Sequence, residues 1–541
     1  MAAPMRSITF ACKFCGREFL QNVYVTRNIS LYNYSTKHQS SKWESVIGLE
    51  VHAQISSESK LFSGSSTKFA APINSQVSLF DAAIPGTLPV LNRRCVEAGV
   101  KTALALKSKI NQVSKFDRKH YFYADLPTGY QITQQREPIG VGGQVDFIVF
   151  DPTVSKEPMT KTANLVQIQL EQDSGKSLHD DEDKKSLIDL NRAGMALMEI
   201  VTQPDFTTGE EAAGFVKELQ KILQIIGTCD GKMSEGSLRV DANISVNKPG
   251  EGYGIRTEVK NLNSIRYMVK AIEYEIKRQI KELEAGNKIT TETRNFDVNT
   301  GKTIAMRDKE KVLDYRFMPE PNLPPLHIYN SQSLPADIPS DRVVLTDQLQ
   351  INIPELPSEK RNRLQKKYDD IPLVTIATLV NDDSLLKYFE EVIKDGKRNV
   401  KRVASLLTHQ YLGQLKAVEM QAEDSPMSVE DFKEFYDIVD ADVISTETIS
   451  KVLALMLLRP GSKVKDIIEK ENLYQITDPE EIKSLCKLII KNNPKLVRSS
   501  KRGKVAAFNS ICSRVMKECQ GKTNLHKVEE TMEKLLKEEQ I

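Results

Sequence analysis

The spacing of hydrophobic residues changes along the chain. It has a period of two in several segments of the first part and a period near 3.6 after Pro357. Because side chains alternate across a strand, each period-two segment predicts a β-strand with one apolar and one polar face. The predicted strands are Val46–Ile55, Leu165–Glu171, Ala196–Val201, Leu238–Val246 and Ile255–Lys260. Helical spacing in the same region predicts two helices, at 210–226 and about 264–285, which end at Gly227 and Gly286.

Proline-rich residues 322–357 separate the mixed region from the helical one, and a second break falls between Ala422 and Ser428. The patterns predict an α+β protein, in which a mostly antiparallel sheet domain precedes an all-α domain and a helical tail. We expect the sheet domain at 43–330, a helical linker domain at 331–424 and the tail domain at 425–541.

The polar faces of the predicted strands carry acids, amides, a histidine and basic residues, with little threonine or serine. They present Glu50, His52, Gln54, Gln167, Gln169, Glu171, Glu199, Arg239, Asp241, Asn243, Arg256, Glu258 and Lys260. The opposite faces are mainly apolar and include Val166 and Ile255. Antiparallel sheets often leave one face in water, which is the simpler interpretation of this pattern.

A metal and phosphate site is the alternative interpretation of the same face. Its carboxylates and imidazole suit a divalent cation, and its arginine and lysine side chains suit phosphate oxygens. Phosphoryl transfer needs this combination, because its transition state requires charge neutralisation on oxygens more than covalent help. The pattern leaves both interpretations open, because it reveals neither the register nor the order of the strands.

The composition limits the class of protein. With 541 residues, 40% hydrophobic and 27% charged, the chain resembles a folded protein of several domains. Seven cysteines do not make a disulfide scaffold, and no apolar run reaches the roughly 18–20 residues of a membrane span. Residues 1–42 carry six basic side chains against one acid, Glu18. They predict a mitochondrial transit peptide, or else a disordered basic tail, before a folded chain that begins near Trp43.

Basic residues dominate the predicted helical tail. Between Lys487 and Lys527 there are eleven lysines and arginines and a single acid, Glu518. They include Lys495, Arg498, Lys501, Arg502, Lys504 and Lys522. Such an excess predicts binding to nucleic-acid phosphates, by shape and backbone contacts rather than by base reading. A basic surface for a protein partner is the alternative.

Eight segments together resemble the B subunit of the aspartyl/glutamyl-tRNA amidotransferases. They are Val46–Gln54, Ser114–Tyr123, Tyr130–Gln134, Asp173–Lys176, Asp189–Gly194, Gly236–Ser245, Glu258–Ser264 and Asp314–Pro321. The resemblance covers nearly all of 43–541. It implies a sheet domain like that of glutamine synthetase, ATP and Mg²⁺ as cofactors, and phosphorylation of the glutamyl side chain on Glu-tRNA(Gln). Ammonia from an amidase-type A subunit would then displace phosphate, and a small third subunit would complete this complex of the mitochondrial matrix.

The resemblance also implies roles for residues. The metal ligands implied are Glu50, His52 and Glu171, with Glu199 or Asp189 as a further candidate. The catalytic residues implied are Glu50, Arg239, Asp241, Asn243, Glu258 and Lys260, and the expected nucleotide-binding residues are Lys176 and Arg256. Two positions depart from the family's pattern. Gln172 replaces a usual second acid, so that either Glu171 alone provides the ligand there or the site holds one fewer charge, and Ser513 replaces a usual glycine.

Two other functions remain open. One is a non-catalytic tRNA-binding scaffold for an amidase, and the other is a free-standing ligase that joins a carboxylate and an amine in a small molecule. The polar sheet face argues against the scaffold, and the basic tail argues against the small-molecule ligase.

Overall fold

A computed structural model describes residues 42–151, 157–180, 182–306 and 316–538. The predicted transit peptide lies outside these residues, apart from its last position. Contacts divide the chain after Lys42, and the unit described below is Trp43–Ile541. Within the described ranges, no helix is both long and apolar enough to cross a membrane.

The described residues contain sixteen strands, most of them in the first half of the chain. They are β1 (Glu44–Gln54), β2 (Lys109–Ile110), β3 (Val113–His120), β4 (Tyr130–Glu137), β5 (Gly140–Val141), β6 (Gln144–Val149), β7 (Met159–Gln172), β8 (Lys176–Asp180), β9 (Lys185–Asp189), β10 (Ala196–Thr202), β11 (Leu238–Asn247), β12 (Thr257–Leu262), β13 (Glu292–Asp297), β14 (Lys302–Ala305), β15 (Arg316–Pro319) and β16 (Leu326–His327).

The same described ranges contain sixteen α-helices, thirteen of them after the last strand. They are α1 (Arg93–Ala105), α2 (Gly209–Ile225), α3 (Ile265–Glu284), α4 (Thr346–Ile351), α5 (Pro357–Lys367), α6 (Leu373–Val380), α7 (Asp383–Ile393), α8 (Val400–Ser405), α9 (Leu412–Ala417), α10 (Val429–Asp440), α11 (Thr446–Leu458), α12 (Val464–Lys470), α13 (Pro479–Asn492), α14 (Pro494–Lys501), α15 (Val505–Glu518) and α16 (Leu525–Glu538). A π-helical stretch, Leu406–Tyr411, joins α8 to α9.

Ten strands form the main sheet, in the order β14-β13-β12-β11-β1-β10-β7-β5-β2, and β6 pairs with β7 beside this path. Among the described strands, every pair is antiparallel except β12 with β13. In a second sheet β3 pairs with β4, β15 and β16, while β8 and β9 form a separate hairpin. The predicted α+β class, with a mostly antiparallel sheet before a helical region, is confirmed.

The first core lies between the apolar face of the main sheet and its helices. The predicted apolar positions of β1 and β11 are at most 4% exposed. Helix α2 contacts β6 and α3 contacts β11, with Phe215 and Ile272 fully buried. Both helices end as predicted, because Gly227 and Gly286 adopt φ values of 70° and 81° that side-chain-bearing residues rarely adopt. This packing leaves the polar face of β1 and β11 on the other side of the sheet.

Two details of the predicted strands are wrong. Val166 is 38% exposed and does not lie on the apolar face, because a bulge in β7 leaves it out of the pairing with β10. The strand β12 begins at Thr257, so Ile255 and Arg256 precede it and both are exposed. The polar face of β12 is therefore shorter than predicted.

Within the described part of the chain, three hydrophobic cores follow one another. Their members come from residues 47–356, 364–473 and 482–535. The second and third cores are built from helices and the turns between them. Val344 and Leu356 are members of the first core, so the segment that precedes α5 packs with the sheet domain. The domain boundaries near 330 and 424 stay predictions.

Candidate metal and phosphate site

Three central strands of the main sheet bring two acids and a histidine together. β1 pairs with β10 on one side and with β11 on the other, so that His52 lies opposite Glu199 and Glu50 lies opposite Asp241. One ligand atom from each of Glu50, His52 and Glu199 lies within 4.8 Å of the other two. The structure therefore places three of the four predicted metal ligands at one point.

Amide side chains orient the two carboxylates of this group. Gln169 Nε2 donates to Glu199 Oε2 at 2.8 Å, and Asn243 Nδ2 donates to Glu50 Oε1 at 3.0 Å. Asn243 Oδ1 is buried and accepts no hydrogen bond from the residues that the structure describes. A buried carbonyl oxygen without a donor is a group that a bound cation or water would satisfy.

The acids of this face shift one another's pKa values. Burial and the nearby Glu171 carboxylate raise the pKa of Glu199 to about 7. Burial disfavours protonated His52, but Asp241, Glu199 and Glu171 outweigh it and raise the pKa of His52 to about 9. Burial also works against ionised Asp241, whose Oδ2 lies 3.8 Å from His52 Nε2, yet the imidazole lowers the pKa of Asp241. Neighbouring carboxylates thus contribute to the raised pKa values of both Glu199 and His52, which indicates negative charge gathered on this face.

Glu171, the fourth predicted metal ligand, lies beside the three mutually close ligands and is not one of them. Its side chain is buried, its Oε2 atom accepts no hydrogen bond from any described residue, and Lys119 Nζ lies 3.6 Å from that atom. Lys119 was not predicted, because the sequence does not reveal that β3 approaches β7. Asp189 lies on the β8–β9 hairpin, where it accepts from the Asn191 backbone N–H at 3.0 Å. The geometry therefore favours Glu199 over Asp189.

Cationic side chains lie on the same face as these acids. Arg239 Nη2 donates to Asp173 Oδ2 at 2.8 Å, and Arg192 Nε lies 3.5 Å from the same oxygen. The Asp173 carboxylate raises the pKa of the Arg239 guanidinium against the effect of burial. On β12, Lys260 Nζ lies 3.5 Å from Glu258 Oε2, and burial raises the pKa of Glu258. The face thus offers guanidinium and ammonium groups to an anion.

The two predicted nucleotide-binding residues lie off the strand face. Lys176 is exposed at the start of β8, opposite Asp189 in the hairpin. Arg256 is exposed in the segment before β12, so its predicted position on the polar face of that strand is wrong. A role of either residue in nucleotide binding stays a prediction.

Two glutamines of β4 were not predicted as site residues, and they hold β4 against β7. Gln134 Oε1 accepts from the Leu170 backbone N–H at 3.0 Å, and Gln131 Nε2 donates to the Gln172 backbone oxygen at 2.5 Å. Gln172 Oε1 in turn accepts from the Ile132 backbone N–H at 2.9 Å. Position 172, where the family usually has an acid, therefore makes a structural contact in this chain.

The predicted nucleic-acid-binding residues lie on α14 and in the turns that flank α15. The exposed ones are Lys495, Arg498, Lys501, Arg502 and Lys504, and Lys522 is half-buried. Gly503 makes the turn between the two helices with a φ of 79°. Ser513 is exposed on α15, and its hydroxyl donates to the Asn509 backbone oxygen at 2.8 Å. The serine therefore points away from the third core.

Comparisons with known proteins agree with this architecture. Residues 45–333 match the family of the GatB/GatE catalytic domain, and residues 387–536 match the family described as GatB domain. The B subunit of the mitochondrial glutamyl-tRNA(Gln) amidotransferase of Danio rerio is 49% identical over 492 residues, which cover 91% of this chain and 89% of that protein. The Homo sapiens protein of the same name is 49% identical over 501 residues, 93% of this chain and 90% of that protein. The B subunit of the aspartyl/glutamyl-tRNA(Asn/Gln) amidotransferase of Rickettsia rickettsii is 44% identical over 485 residues, 90% of this chain and 96% of that protein.

These matches define the class as a subunit of a glutamine-dependent carbon–nitrogen ligase complex that acts in tRNA-dependent protein biosynthesis. The chain belongs to the family of glutamyl-tRNA(Gln) amidotransferase B subunits. The predicted resemblance is confirmed.

Proposed function

We propose that this chain uses ATP and Mg²⁺ to phosphorylate the glutamyl side chain of Glu-tRNA(Gln), and that ammonia then converts the acyl phosphate to the glutamine amide. The approach of Glu50, His52 and Glu199 ligand atoms to within 4.8 Å of one another carries the proposal. A merely solvated sheet face has no need to hold a buried acid, Glu199, this close to a half-buried one, Glu50, because the carboxylates repel each other and are costly to desolvate.

The donor set fits a divalent cation. Carboxylates and an imidazole are suitable ligands, and the buried Asn243 Oδ1 and Glu171 Oε2 atoms accept no hydrogen bond from described residues. Glu50, His52 and Glu199 would hold the ion, and the Glu171 carboxylate adds negative charge nearby. When bound, the cation would neutralise charge on the transferring phosphoryl oxygens.

The chemistry explains why ATP is needed. Ammonia does not displace oxide from a carboxylate, because oxide is a poor leaving group. In the first step a glutamyl carboxylate oxygen bonds to the γ-phosphorus of ATP, and the bond from that phosphorus to the ADP oxygen breaks. In the second step the ammonia nitrogen attacks the acyl carbon, and phosphate leaves with the electron pair of the broken C–O bond. The attacking nitrogen gives one proton to a base.

The side chains of the face suit these two steps. Arg239, oriented by Asp173, is a fixed cation for phosphate oxygens in the first step. Asp241 orients His52, as a carboxylate commonly does for a ligand histidine. Glu258 suits the role of proton acceptor in the second step, since burial raises its pKa towards the operating pH and Lys260 keeps it ionised.

The same proposal includes partners and a compartment. Ammonia would come from glutamine on an amidase-type A subunit, and a small third subunit would complete the complex in the mitochondrial matrix. The names of the animal relatives support a mitochondrial setting and partner subunits. The exposed cations of α14 and the following turn support tRNA binding by the tail, since they match a phosphate backbone in charge.

Substitution of Glu50 by glutamine tests the metal role. The change keeps the shape of the side chain and removes one negative charge from the ligand group. We expect single-turnover phosphorylation of glutamyl-tRNA, followed as ADP release, to fall by about 100-fold or more, while tRNA affinity stays unchanged. Glu44→Gln is the matched control, because Glu44 is exposed at the start of the same strand.

The scaffold function predicts a different result. If this chain only presented tRNA to an amidase, the complex that contains the Glu50→Gln variant would amidate Glu-tRNA(Gln) at the normal rate. Its dependence on Mg²⁺ would also equal that of wild type. That outcome would reject the metal role and the proposed function with it. A variant that loses phosphorylation but regains part of it at raised Mg²⁺ concentration would support Glu50 as a ligand.

A further inference from the structure

Residues 69–90, which we call the apolar loop, form an uncharged surface between β1 and α1. Asp81 is the one charged residue among them, although 27% of the whole chain is charged. Six large apolar side chains in this loop are between 46% and 73% exposed: Phe69, Ile73, Leu79, Ile84, Leu88 and Val90. Single exposed apolar residues are ordinary, but six within one uncharged loop indicate an interaction surface.

Hydrogen bonds hold the apolar loop in place. Asn74 Nδ2 donates to the Ile188 backbone oxygen at 2.9 Å, and Asn74 Oδ1 accepts from the Leu190 backbone N–H at 2.7 Å. The Gln76 backbone N–H donates to Asn191 Oδ1 at 2.8 Å. A loop that is already fixed loses little conformational entropy when a partner covers it, so its apolar side chains can contribute to affinity.

The single charged side chain of the loop, Asp81, forms a buried ion pair within the protein. Asp81 Oδ2 lies 3.2 Å from Lys60 Nζ, and the two side chains are 1% and 0% exposed. Ser63 Oγ and the Ser78 backbone N–H also donate to Asp81. Gly194 leaves room for this carboxylate, because a Cβ there would lie 2.6 Å from Asp81 Oδ1. The buried pair therefore ties the loop to the first core and leaves its outer surface without charge.

The segment that clamps the apolar loop also contacts the candidate site. Within residues 189–194, the Gly194 backbone N–H donates to the Asp173 backbone oxygen at 2.9 Å, and Arg192 Nε lies 3.5 Å from Asp173 Oδ2. Asp173 in turn holds Arg239. One short segment thus connects the apolar loop to the proposed phosphate-binding arginine.

We propose that the apolar loop is the docking surface for the partner protein that supplies ammonia, and that it seats this partner next to the sheet-face site. The inference rests on the proposed function. Ammonia released into open water is diluted and protonated, so its source has to be sealed against the site, and an uncharged apolar surface suits such a seal. The loop has no lysine or arginine, which argues against RNA or an anionic membrane as its occupant.

A double substitution, Leu79→Asp with Val90→Asp, tests the proposal in the complex with the amidase-type A subunit. Both side chains are exposed, so the change adds two charges without disturbing the core. We expect affinity for the A subunit and glutamine-dependent amidation to fall by about tenfold or more. Amidation driven by ammonium chloride should stay within about twofold of wild type. Ile351→Asp is the matched control, because Ile351 is 82% exposed outside the loop and should change neither reaction.

Three outcomes would overturn the proposal. The first is wild-type affinity for the A subunit and wild-type glutamine-dependent activity in the double variant. The second is loss of ammonium-driven amidation at an unchanged thermal midpoint, since the loop would then serve the site itself. The third is that the wild-type chain associates with itself and that the double substitution abolishes this association, since a second copy of the chain would then cover the apolar loop. If the aspartate variant does not fold, Leu79→Ser with Val90→Ser has the same expected outcomes. Failure of the wild-type complex to use ammonium chloride would instead refute the proposed function, and the affinity for the A subunit would still test the loop.

Discussion

Arg361 anchors α5 on the first core, and its replacement by methionine should destabilise the protein strongly. The guanidinium donates to both carboxylate oxygens of Glu218 on α2, at 2.9 and 3.0 Å, and to the Asp146 backbone oxygen at 3.3 Å. The Arg361 and Glu218 side chains are 6% and 7% exposed. Methionine would leave the Glu218 carboxylate buried without its cation. We expect the free energy of unfolding at about pH 8 to fall by about 3–5 kcal/mol, as when one partner of a buried ion pair is removed.

This loss should depend on pH in a defined direction. Burial raises the pKa of Glu218 and Arg361 lowers it, so Arg361→Met moves that pKa further above its value in the unfolded chain, which is about 4.3. Between the two values the folded state keeps a proton that the unfolded state has released. Stability of the variant therefore falls as pH rises through this interval. The difference from wild type should be smallest at about pH 4.3 and below, and largest once folded Glu218 is ionised.

Urea unfolding followed by tryptophan fluorescence measures the effect. Trp43 is the one tryptophan of the chain and precedes β1, whose apolar face shares the first core with α2. Arg363→Met is the control on the same helix, because Arg363 is 41% exposed in its ion pairs and should cost about 1 kcal/mol or less. Glu218→Met with Arg361→Met should recover about 2 kcal/mol, since no charge stays buried. Equal losses in the two single arginine variants, or a loss that does not change with pH, would refute the reasoning.

Three further predictions concern the site and the tail. Arg239→Met should slow single-turnover phosphorylation of glutamyl-tRNA by about 100-fold or more, because the cation that Asp173 orients is lost, and a near-normal rate would contradict that role. Gly194→Ala should cost about 1–3 kcal/mol and lower the thermal midpoint in calorimetry, because its φ is 81° and the new Cβ would lie 2.6 Å from Asp81 Oδ1. An unchanged midpoint would mean that this contact is relieved without strain. Arg498→Glu should weaken tRNA binding and reduce the slope of log Kd against log salt by about one. A slope equal to that of wild type would show that Arg498 does not contact phosphate.

Alternation alone was sufficient to divide β1 and β11 into an apolar and a polar face, because a period of two is a local property of the chain. The same argument failed at Val166, where a bulge in the pairing with β10 changes which residues face the core. It also failed at Arg256, which precedes β12. A bulge and a strand end both depend on the neighbouring strand, and the local pattern does not contain that neighbour.

The candidate site divides in the same way. Its residue types, among them Glu50, His52 and Glu199, could be read from the sequence, and the motifs identified the family. That these side chains lie close together could not be predicted, because it depends on the place of β1 between β10 and β11 and on the register of the pairing. A shift of one residue in that register would turn the side chains towards the core. The preference for Glu199 over Asp189 likewise came from strand pairing. Local sequence specifies which chemistry a strand can present, whereas contacts between residues far apart in the chain determine which of those groups face one another.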